Sequence, residues 1–194
     1  MKLLIATRNA HKLAEIRAML PGIELVGTDA WPAVPDPDET GSTFEENAAI
    51  KAEAWLKATG LPALADDSGL EVEALGGAPG IHSARYAGVH GDSAANNARL
   101  LRELAGLPID RRGARFVCAL ALAMPGEPVR TLRGTCPGRI VAAASGANGF
   151  GYDPLFVPEG FSRTFGELPE EVKARISHRA RAFALARSRW FGEA

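Results

Sequence analysis

The sequence predicts an α/β fold in which a mixed β-sheet is flanked by helices. Strand-length apolar runs alternate with segments of helical periodicity, an order that is typical of α/β architecture. Two apolar runs, 114–124 and 129–135, are separated only by a Pro-Gly-Glu-Pro turn, and strands joined by so short a connection pair antiparallel. The 194 residues contain no repeat, low-complexity tract or linker, so we predict one domain over residues 1–194.

The first forty residues predict a strand, a helix and a loop. Residues 2–7 form an apolar run of strand length. Residues 10–20 repeat leucine and isoleucine at helical spacing, directly after Asn9, a good N-cap. The segment 31–40 is rich in proline and acidic residues, which predicts a loop.

The next segment predicts a strongly capped helix and a short strand. Thr43 and Glu46 form a capping box, and Gly60 ends the helical pattern. The apolar run 63–66 then predicts a strand, and the pair 68–69, Ser-Gly, predicts a sharp turn after it.

The second half of the chain predicts a long loop, a helix, the antiparallel pair and a C-terminal helical region. The glycine-rich stretch 75–91 is predicted to be a loop, and Ser93 to cap a helix that runs to about Leu104. Helical periodicity returns over residues 169–190.

Composition and charge exclude several classes of function. A net charge of −1 gives no electrostatic footprint for duplex nucleic acid, and no apolar stretch approaches the length of a membrane span. Cys118 and Cys136 are too few and too far apart for a zinc module. We therefore expect a cytoplasmic protein with no nucleic-acid or membrane partner.

Two adjacent carboxylates, Asp66 and Asp67, stand where the strand is predicted to end. Adjacent side chains in a strand point to opposite faces, but a turn at Ser68 and Gly69 could bring both acids into one crevice. Mg²⁺ prefers one or two carboxylates together with waters and substrate phosphates, so the pair could hold it. The alternative is an Asx turn, in which the acids only cap backbone N–H groups.

Residues 7–12 lie where the first strand passes into a helix. Unbonded N–H groups and the positive end of the helix dipole favour phosphate at such a place. Lys12 lies one turn into the helix, where its ammonium could reach the same anion. The alternative is an ordinary Asn9 cap beside a surface lysine, since no Walker motif is present.

Asp38 and Glu39 add two acids just before the capped helix. By themselves they suit a solvated acidic loop. Beside Asp66 and Asp67 they could complete a divalent-ion site.

A glycine-rich loop at residues 146–154 carries two aromatic residues, Phe150 and Tyr152, and an acid, Asp153. Glycine lets the backbone approach a ligand closely, and aromatic faces stack on nucleobases with little base preference. The loop could therefore form a base pocket, or its aromatic rings could pack into the core.

Lys173 and Arg179 would point about 120° apart on a straight helix. One ligand that touches both requires a break near Ser177, which could then cap the last helix. If the helix is unbroken, these are scattered surface charges.

Taken together, the motifs resemble those of the inosine triphosphate pyrophosphatase family, the non-standard purine nucleoside triphosphate pyrophosphatases. They occur in family order between residues 3 and 187. The matching pieces are TRNAHK at 7–12, TFEENA at 43–48, ADDSGL at 65–70, GGAPGIHSARY at 76–86, GFGYDP at 149–154 and ISHR at 176–179.

The resemblance implies Mg²⁺-dependent hydrolysis of ITP, dITP and XTP to the monophosphate and pyrophosphate, which cleanses the nucleotide pool. It also implies an elongated mixed sheet, two lobes with a central active-site cleft, and a homodimer. Asp67 would be the general base and a metal ligand, with Asp38, Glu39 and Asp66 as further ligand candidates; Asp38 replaces the first of the family's paired glutamates. The implied substrate-binding residues are Thr7, Arg8, Asn9, Ala10, His11, Lys12, Ser68, Phe150, Gly151, Tyr152, Asp153, Lys173, His178 and Arg179.

Three other classes of function compete with this assignment. A Maf-type nucleotide pyrophosphatase shares the reaction type, but it lacks the Ser-His-Arg ending present here. A nucleotide-binding regulator without catalysis would not need Asp66 or Asp67 for a metal. A dinucleotide-binding oxidoreductase is disfavoured because the glycines at 76–80 do not form G-x-G-x-x-G after a first strand.

Overall fold

A computed structural model of the chain describes residues 2–192, so the ends of the predicted domain, Met1, Glu193 and Ala194, lie outside it. Six strands form one sheet in the order β2-β1-β3-β4-β5-β6. Strand β1 pairs parallel with β2 and β3, whereas β5 pairs antiparallel with β6, so the predicted mixed sheet is confirmed. The strands are β1 (Lys2–Ile5), β2 (Glu24–Gly27), β3 (Ala63–Val72), β4 (Gly113–Ala123), β5 (Arg130–Ile140) and β6 (Phe156–Pro158).

Five α-helices accompany the sheet within the described residues. Single 3₁₀ turns connect several elements, and a π-helical turn, Arg187–Phe191, follows the last helix. The glycine-rich loop predicted at 75–91 contains a 3₁₀ helix, Gly80–Arg85. The α-helices are α1 (Ala10–Met19), α2 (Phe44–Thr59), α3 (Ser93–Glu103), α4 (Glu170–Ile176) and α5 (His178–Ala186).

The capping signals at the first two helices are confirmed. The Asn9 side chain accepts a hydrogen bond from the Lys12 N–H and begins α1. Thr43 does the same for the Glu46 N–H at the start of α2, and Gly60 ends that helix in the left-handed conformation. These local contacts satisfy helix-end donors that would otherwise lack a partner.

One predicted cap is displaced by a residue. The Asp92 side chain, not that of Ser93, accepts the hydrogen bond from the Ala95 N–H, and Ser93 is the first residue of α3. Asp and Ser are nearly equal as N-caps, so their order in the sequence did not decide between them.

The turn predicted at Ser68 and Gly69 is wrong, because β3 continues through both residues to Val72. Leu70 and Val72 are fully buried in a hydrophobic core, and their burial keeps the chain extended. Tertiary packing therefore overrides the local turn tendency of the Asp-Ser-Gly sequence. As a result, the adjacent acids of β3 keep the opposite orientations of a regular strand.

The helical segment predicted at 169–190 is broken at Ser177, as one ligand that touches both Lys173 and Arg179 would require. Ser177 has an extended backbone between α4 and α5, with φ −63° and ψ 161°. Its hydroxyl oxygen accepts a hydrogen bond of 3.1 Å from the Ala180 N–H, as an N-cap does. The break separates Lys173 from Arg179.

The chain forms two compact units. The first contains the described residues up to Asp67, Cys118–Gly134 and the residues from Ala182 onward; the second contains Ser68–Val117 and Thr135–Arg181. Each unit has its own apolar core. The core of the first is formed by Leu3, Ile5, Ile16, Leu20, Leu64, Cys118, Leu120, Leu122, Leu132, Ala182, Phe183 and Ala186. That of the second includes Leu70, Val72, Leu100, Phe116, Ile140, Phe156 and Phe165.

Among residues 2–192 there is no helix both long enough and apolar enough to cross a membrane. Cys118 and Cys136 are both buried, and neither forms a disulfide within residues 2–192.

Arg112 stabilises the C-terminal end of α3 in the second unit. Its side chain is buried and donates to the backbone carbonyls of Leu104, Leu107 and Val141 at 3.0, 3.0 and 3.3 Å. A cation near a helix C-terminus also interacts favourably with the helix dipole.

We therefore expect Arg112→Met to lower the free energy of unfolding by about 2–4 kcal/mol, because buried carbonyls lose their donor. Urea denaturation followed by circular dichroism measures this change. The neighbouring Arg111 is exposed, so Arg111→Met is the matched control. Equal effects of the two substitutions would contradict this role of Arg112.

Candidate functional site

The first unit brings five charged residues together around β3, which we call the carboxylate–lysine cluster: Lys12, Glu39, Lys51, Asp66 and Asp67. Lys51, on α2, lies at its centre. Its ammonium donates to Asp67 Oδ1 at 2.7 Å and to Glu39 Oε1 at 3.1 Å. Sequence reasoning missed Lys51, although a lysine on the otherwise apolar face of a helix was the available signal.

Burial and charge act in opposite directions on Asp67. Burial raises the pKa of this carboxyl, and the nearby ammonium groups of Lys51 and Lys12 lower it without cancelling the rise. For Lys51, burial lowers the pKa, but the carboxylates of Asp67 and Glu39 outweigh that effect and the pKa is raised. A carboxylate with a raised pKa is a better base than one in water.

The second oxygen of Asp67, Oδ2, is buried and has no hydrogen-bond partner in the described part of the chain. Leaving a buried carboxylate oxygen unsatisfied is costly. A water or a cation is needed to satisfy it.

Asp66 faces the other side of β3. Its Oδ1 accepts from Lys12 Nζ at 2.6 Å, and its Oδ2 accepts from the Cys118 thiol at 3.1 Å. Lys12 belongs to α1, whereas the partner of Asp67, Lys51, belongs to α2. Helices α1 and α2 therefore lie on opposite faces of the sheet, as the alternation of strand side chains requires.

The acidic loop brings Glu39, not Asp38, to this cluster. Glu39 is half-buried against Lys51, while Asp38 is exposed. Residues 2–192 hold no ready-made group of three or more metal-binding side chains, so which acid accompanies Asp67 at a metal stays a prediction. Asp66 is directed away from Asp67.

Contacts at both ends of the acidic loop fix its position. Arg8 forms an ion pair of 2.9 Å with Asp36 and donates to the Val34 carbonyl. At the other end, the Gly41 N–H donates to Asn47 Oδ1 at 2.8 Å. A Cβ at Gly41 would lie 2.7 Å from that oxygen, so the loop needs glycine there.

The predicted phosphate segment, 7–12, is partly bonded within itself. Thr7 Oγ1 accepts from the Asn9 N–H, and Asn9 accepts from the Lys12 N–H. Arg8 is occupied by the acidic loop, as described above, and Ala10 and His11 are exposed at the start of α1. Of the side chains of this segment, the ammonium of Lys12 is the one that lies in the carboxylate–lysine cluster.

The donor set of the first unit fits a divalent cation. Mg²⁺ prefers one or two carboxylates and completes its shell with waters and phosphates. Within the described part of the chain, one buried oxygen of Asp67 lacks a partner, and Glu39 lies beside the Lys51 ammonium that Asp67 also contacts. On the face of β3 where Asp67 lies, two carboxylates, Asp67 and Glu39, share the ammonium of Lys51, and the one excess negative charge favours a cation.

The second unit gathers a different set of residues, which we call the aromatic cluster: Phe150, Asp153, Lys173, His178 and Arg179. Asp153 is its organising acid, because its Oδ2 accepts from the Phe150 N–H at 2.8 Å and from Lys173 Nζ at 2.6 Å. The Lys173 ammonium lies 4.4 Å from the centre of the Phe150 ring, a cation–π distance.

The close approach of Asp153 to this loop requires glycine at position 149. Gly149 has a φ of +73°, and a Cβ there would lie 2.0 Å from Asp153 Oδ2. Both the backbone conformation and the available space therefore exclude other residues.

The two aromatic residues of the loop have different surroundings. Phe150 is half-buried, whereas Tyr152 is buried in the core of the second unit and donates to the Ser83 carbonyl at 2.9 Å. Between them, the Gly151 carbonyl accepts from Asn97 Nδ2 at 3.0 Å. Of the two rings, that of Phe150 is the one that is partly exposed.

His178 and Arg179 directly follow the break at Ser177, and both pack within the second unit. His178 stacks on Phe116, with ring centres 4.8 Å apart. Arg179 is 1% exposed, donates to Ser68 Oγ at 2.9 Å and lies 5.9 Å from the Phe150 ring centre. The structure thus brings Ser68, Arg179 and Phe150 together, three residues predicted from separate motifs.

The chain is similar to known proteins over nearly its whole length. The model of the Ham1 family matches residues 3–189. A dITP/XTP pyrophosphatase of Streptomyces coelicolor is 53% identical over 186 residues, which cover 94% of this chain and 93% of that protein. The dITP/XTP pyrophosphatase of Geobacillus kaustophilus is 49% identical over 191 residues, which cover 97% and 94%.

Solved structures agree with the sequence comparisons. The Ham1 protein of Staphylococcus aureus has a TM-score of 0.90 at 40% identity and covers 99% of both chains. A nucleoside-triphosphatase, dITP/XTP pyrophosphatase, of Mycobacterium abscessus has a TM-score of 0.77 at 48% identity, and the match covers 90% of this chain and 93% of that one.

Proposed function

The chain belongs to the Ham1 family, and we propose that it hydrolyses the non-standard purine nucleotides dITP, XTP and ITP to the monophosphate and pyrophosphate, with Mg²⁺. The observation that carries this proposal is the identity of about half of all positions, over nearly the full length, to relatives named dITP/XTP pyrophosphatase. The two residue clusters described above supply chemistry that suits this reaction.

We assign the triphosphate to the carboxylate–lysine cluster. Lys12 and Lys51 are ammonium groups held in a partly buried setting, where they compensate phosphate charge more strongly than in water. Asp67 and Glu39 would hold Mg²⁺. When bound, Mg²⁺ supplies further neutralisation of the triphosphate and of the leaving pyrophosphate.

Asp67 is the proposed general base. It takes a proton from a water molecule whose oxygen attacks the α-phosphorus, and the bond from that phosphorus to the bridging oxygen of the pyrophosphate breaks. Burial raises the pKa of Asp67, and Lys51 holds its Oδ1 in place. The leaving oxygen develops negative charge, which the neighbouring ammonium groups stabilise.

We assign the base to the aromatic cluster. The Phe150 ring offers a stacking face, and Arg179 and His178 are candidate donors to the 6-oxo group of hypoxanthine or xanthine. Adenine carries an amino donor at that position, so a buried donor of the pocket would be left unpaired. Guanine shares the 6-oxo group and must be rejected at its 2-amino group.

Two further proposals rest on the sequence alone. The family resemblance implies a homodimer. The composition is ordinary for a globular protein, and we propose a cytoplasmic location. Light scattering on the purified chain measures the first of these directly.

The substrate profile tests the proposed function. We expect pyrophosphate, and no orthophosphate, to be released from dITP, XTP and ITP, with GTP, ATP and pyrimidine nucleotides at least about 100-fold slower in kcat/KM. Chelation of Mg²⁺ should stop the reaction. Preference for pyrimidine nucleotides would favour a Maf-type activity, binding without release a regulator, and comparable turnover of GTP and ITP would contradict the base pocket.

Asp67→Asn should lower kcat for dITP at least about 100-fold, because the amide cannot accept the proton of the attacking water. Steady-state pyrophosphate release measures the change, and thermal melting verifies that the variant folds. Near-full activity of this variant would remove Asp67 from the mechanism while leaving the family assignment intact.

Glu39→Gln and Asp38→Asn form a matched pair that distinguishes the two acids of the loop. Because Glu39 shares Lys51 with Asp67, its substitution should raise the Mg²⁺ concentration needed for half-maximal activity at least about tenfold. Asp38 is exposed, so its substitution should change that concentration by no more than about twofold. The reverse order would show that Asp38 is the ligand.

A further inference from the structure

Asp66 is a charged side chain directed at the apolar core of the first unit. Its side chain is 1% exposed. Cys118, which donates to Asp66 Oδ2, is itself a member of that core and is 0% exposed. A buried carboxylate is costly unless its oxygens are paired, so the protein retains this charge at a place where an apolar residue would pack.

Both carboxylate oxygens of Asp66 already accept a hydrogen bond, one from an ammonium and one from a thiol. A hydrated Mg²⁺ needs open access and room for several waters. The burial of Asp66 does not offer that access. In contrast, one buried oxygen of Asp67 has no partner among residues 2–192.

The contacts of Asp66 fix the position of the Lys12 ammonium. A lysine side chain has four rotatable bonds, and fixing it in one geometry costs rotamer entropy. The ion pair of 2.6 Å with Asp66 holds the ammonium in place before any ligand arrives, and the Lys12 side chain remains 17% exposed. The Lys12 side chain is thus held by Asp66 without being fully buried.

We propose that Asp66 is a positioning residue for Lys12 rather than a metal ligand, and that the Cys118 thiol holds the Asp66 carboxylate in the orientation this requires. The value of this chain of contacts for catalysis rests on the proposed function, in which Lys12 binds the triphosphate. The series of contacts from Cys118 through Asp66 to Lys12 does not depend on the proposed function.

Lysine reactivity tests the anchoring directly. Limited acetylation of the whole protein with acetic anhydride, read by mass spectrometry, gives the rate at each lysine. Asp66→Asn should accelerate acetylation of Lys12 at least about tenfold, since one charged hydrogen bond is lost. Lys57 is exposed and serves as the internal reference, whose rate should not change.

Cys118 is tested by a pair of variants that preserves all charges. Cys118→Ala removes the donor and should accelerate Lys12 acetylation about threefold, whereas Cys118→Ser keeps a donor and should stay within about twofold of the parent. Cys136→Ala, at the other buried thiol, is the control for loss of a thiol elsewhere. If Asp66→Asn does not fold, the contrast between Ala and Ser at position 118 still decides.

Metal binding and turnover complete the test. Mn²⁺ binding, measured by electron paramagnetic resonance, should be retained within about twofold in Asp66→Asn and weakened at least about tenfold in Asp67→Asn. The kcat for dITP should fall at least about tenfold in Asp66→Asn. In Cys118→Ser, both the Mn²⁺ affinity and the kcat for dITP should be near those of the parent.

Two results would overturn the proposal: unchanged Lys12 acetylation in Asp66→Asn and Cys118→Ala, or loss of Mn²⁺ binding in Asp66→Asn as severe as in Asp67→Asn. The acetylation and Mn²⁺ measurements need no turnover. If the parent protein did not hydrolyse dITP, the proposed function would fail while the anchoring of Lys12 could still be established.

Discussion

The structure of the first unit depends on the pairing of buried carboxylates with lysines at the middle of β3. Asp66 and Asp67 are both buried, and a buried carboxylate that lacks a counter-charge takes up a proton instead of remaining ionised. Lys12 and Lys51 each supply that counter-charge, from helices on opposite faces of the sheet. Because a regular strand alternates its side chains, two adjacent acids can serve two different purposes.

This constraint separates the chemistry of the two faces. On the α2 face, Lys51 contacts both Glu39 and Asp67. One oxygen of Asp67 has no partner among the residues that the structure describes, which suits a cation and an activated water. On the α1 face, Asp66 is fully occupied and holds Lys12. In the aromatic cluster of the second unit, a buried carboxylate is also paired with a lysine. Asp153 accepts hydrogen bonds both from Lys173 and from the backbone N–H of Phe150.

Much of the fold could be predicted from the sequence because its signals are local. Side-chain caps at Asn9 and Thr43 and the short turn between β4 and β5 each depend on a few neighbouring residues, and the structure confirms them. The predicted turn at Ser68 failed for the opposite reason. Burial of Leu70 and Val72 in a core assembled from distant segments keeps β3 extended.

In the candidate site, too, local motifs could be predicted from the sequence and contacts between distant segments could not. Motifs indicated Asp67, Lys12 and Arg179, but Lys51 was missed because its partners, Glu39 and Asp67, are 12 and 16 residues away along the chain. Sequence alone also left Asp38 and Glu39 equivalent, and only the anchoring of the acidic loop by Arg8 and Asn47 distinguishes them. Tyr152, an aromatic residue in a glycine-rich loop, could not be told from a base-stacking residue until its core position was known.

The most direct test of the central claim, that this cluster directs water to the α-phosphorus, is hydrolysis of dITP in ¹⁸O-labelled water, with the products analysed by mass spectrometry. Attack at the α-phosphorus predicts one labelled oxygen in the monophosphate and none in the pyrophosphate. Label in the pyrophosphate, or release of labelled orthophosphate, would contradict it.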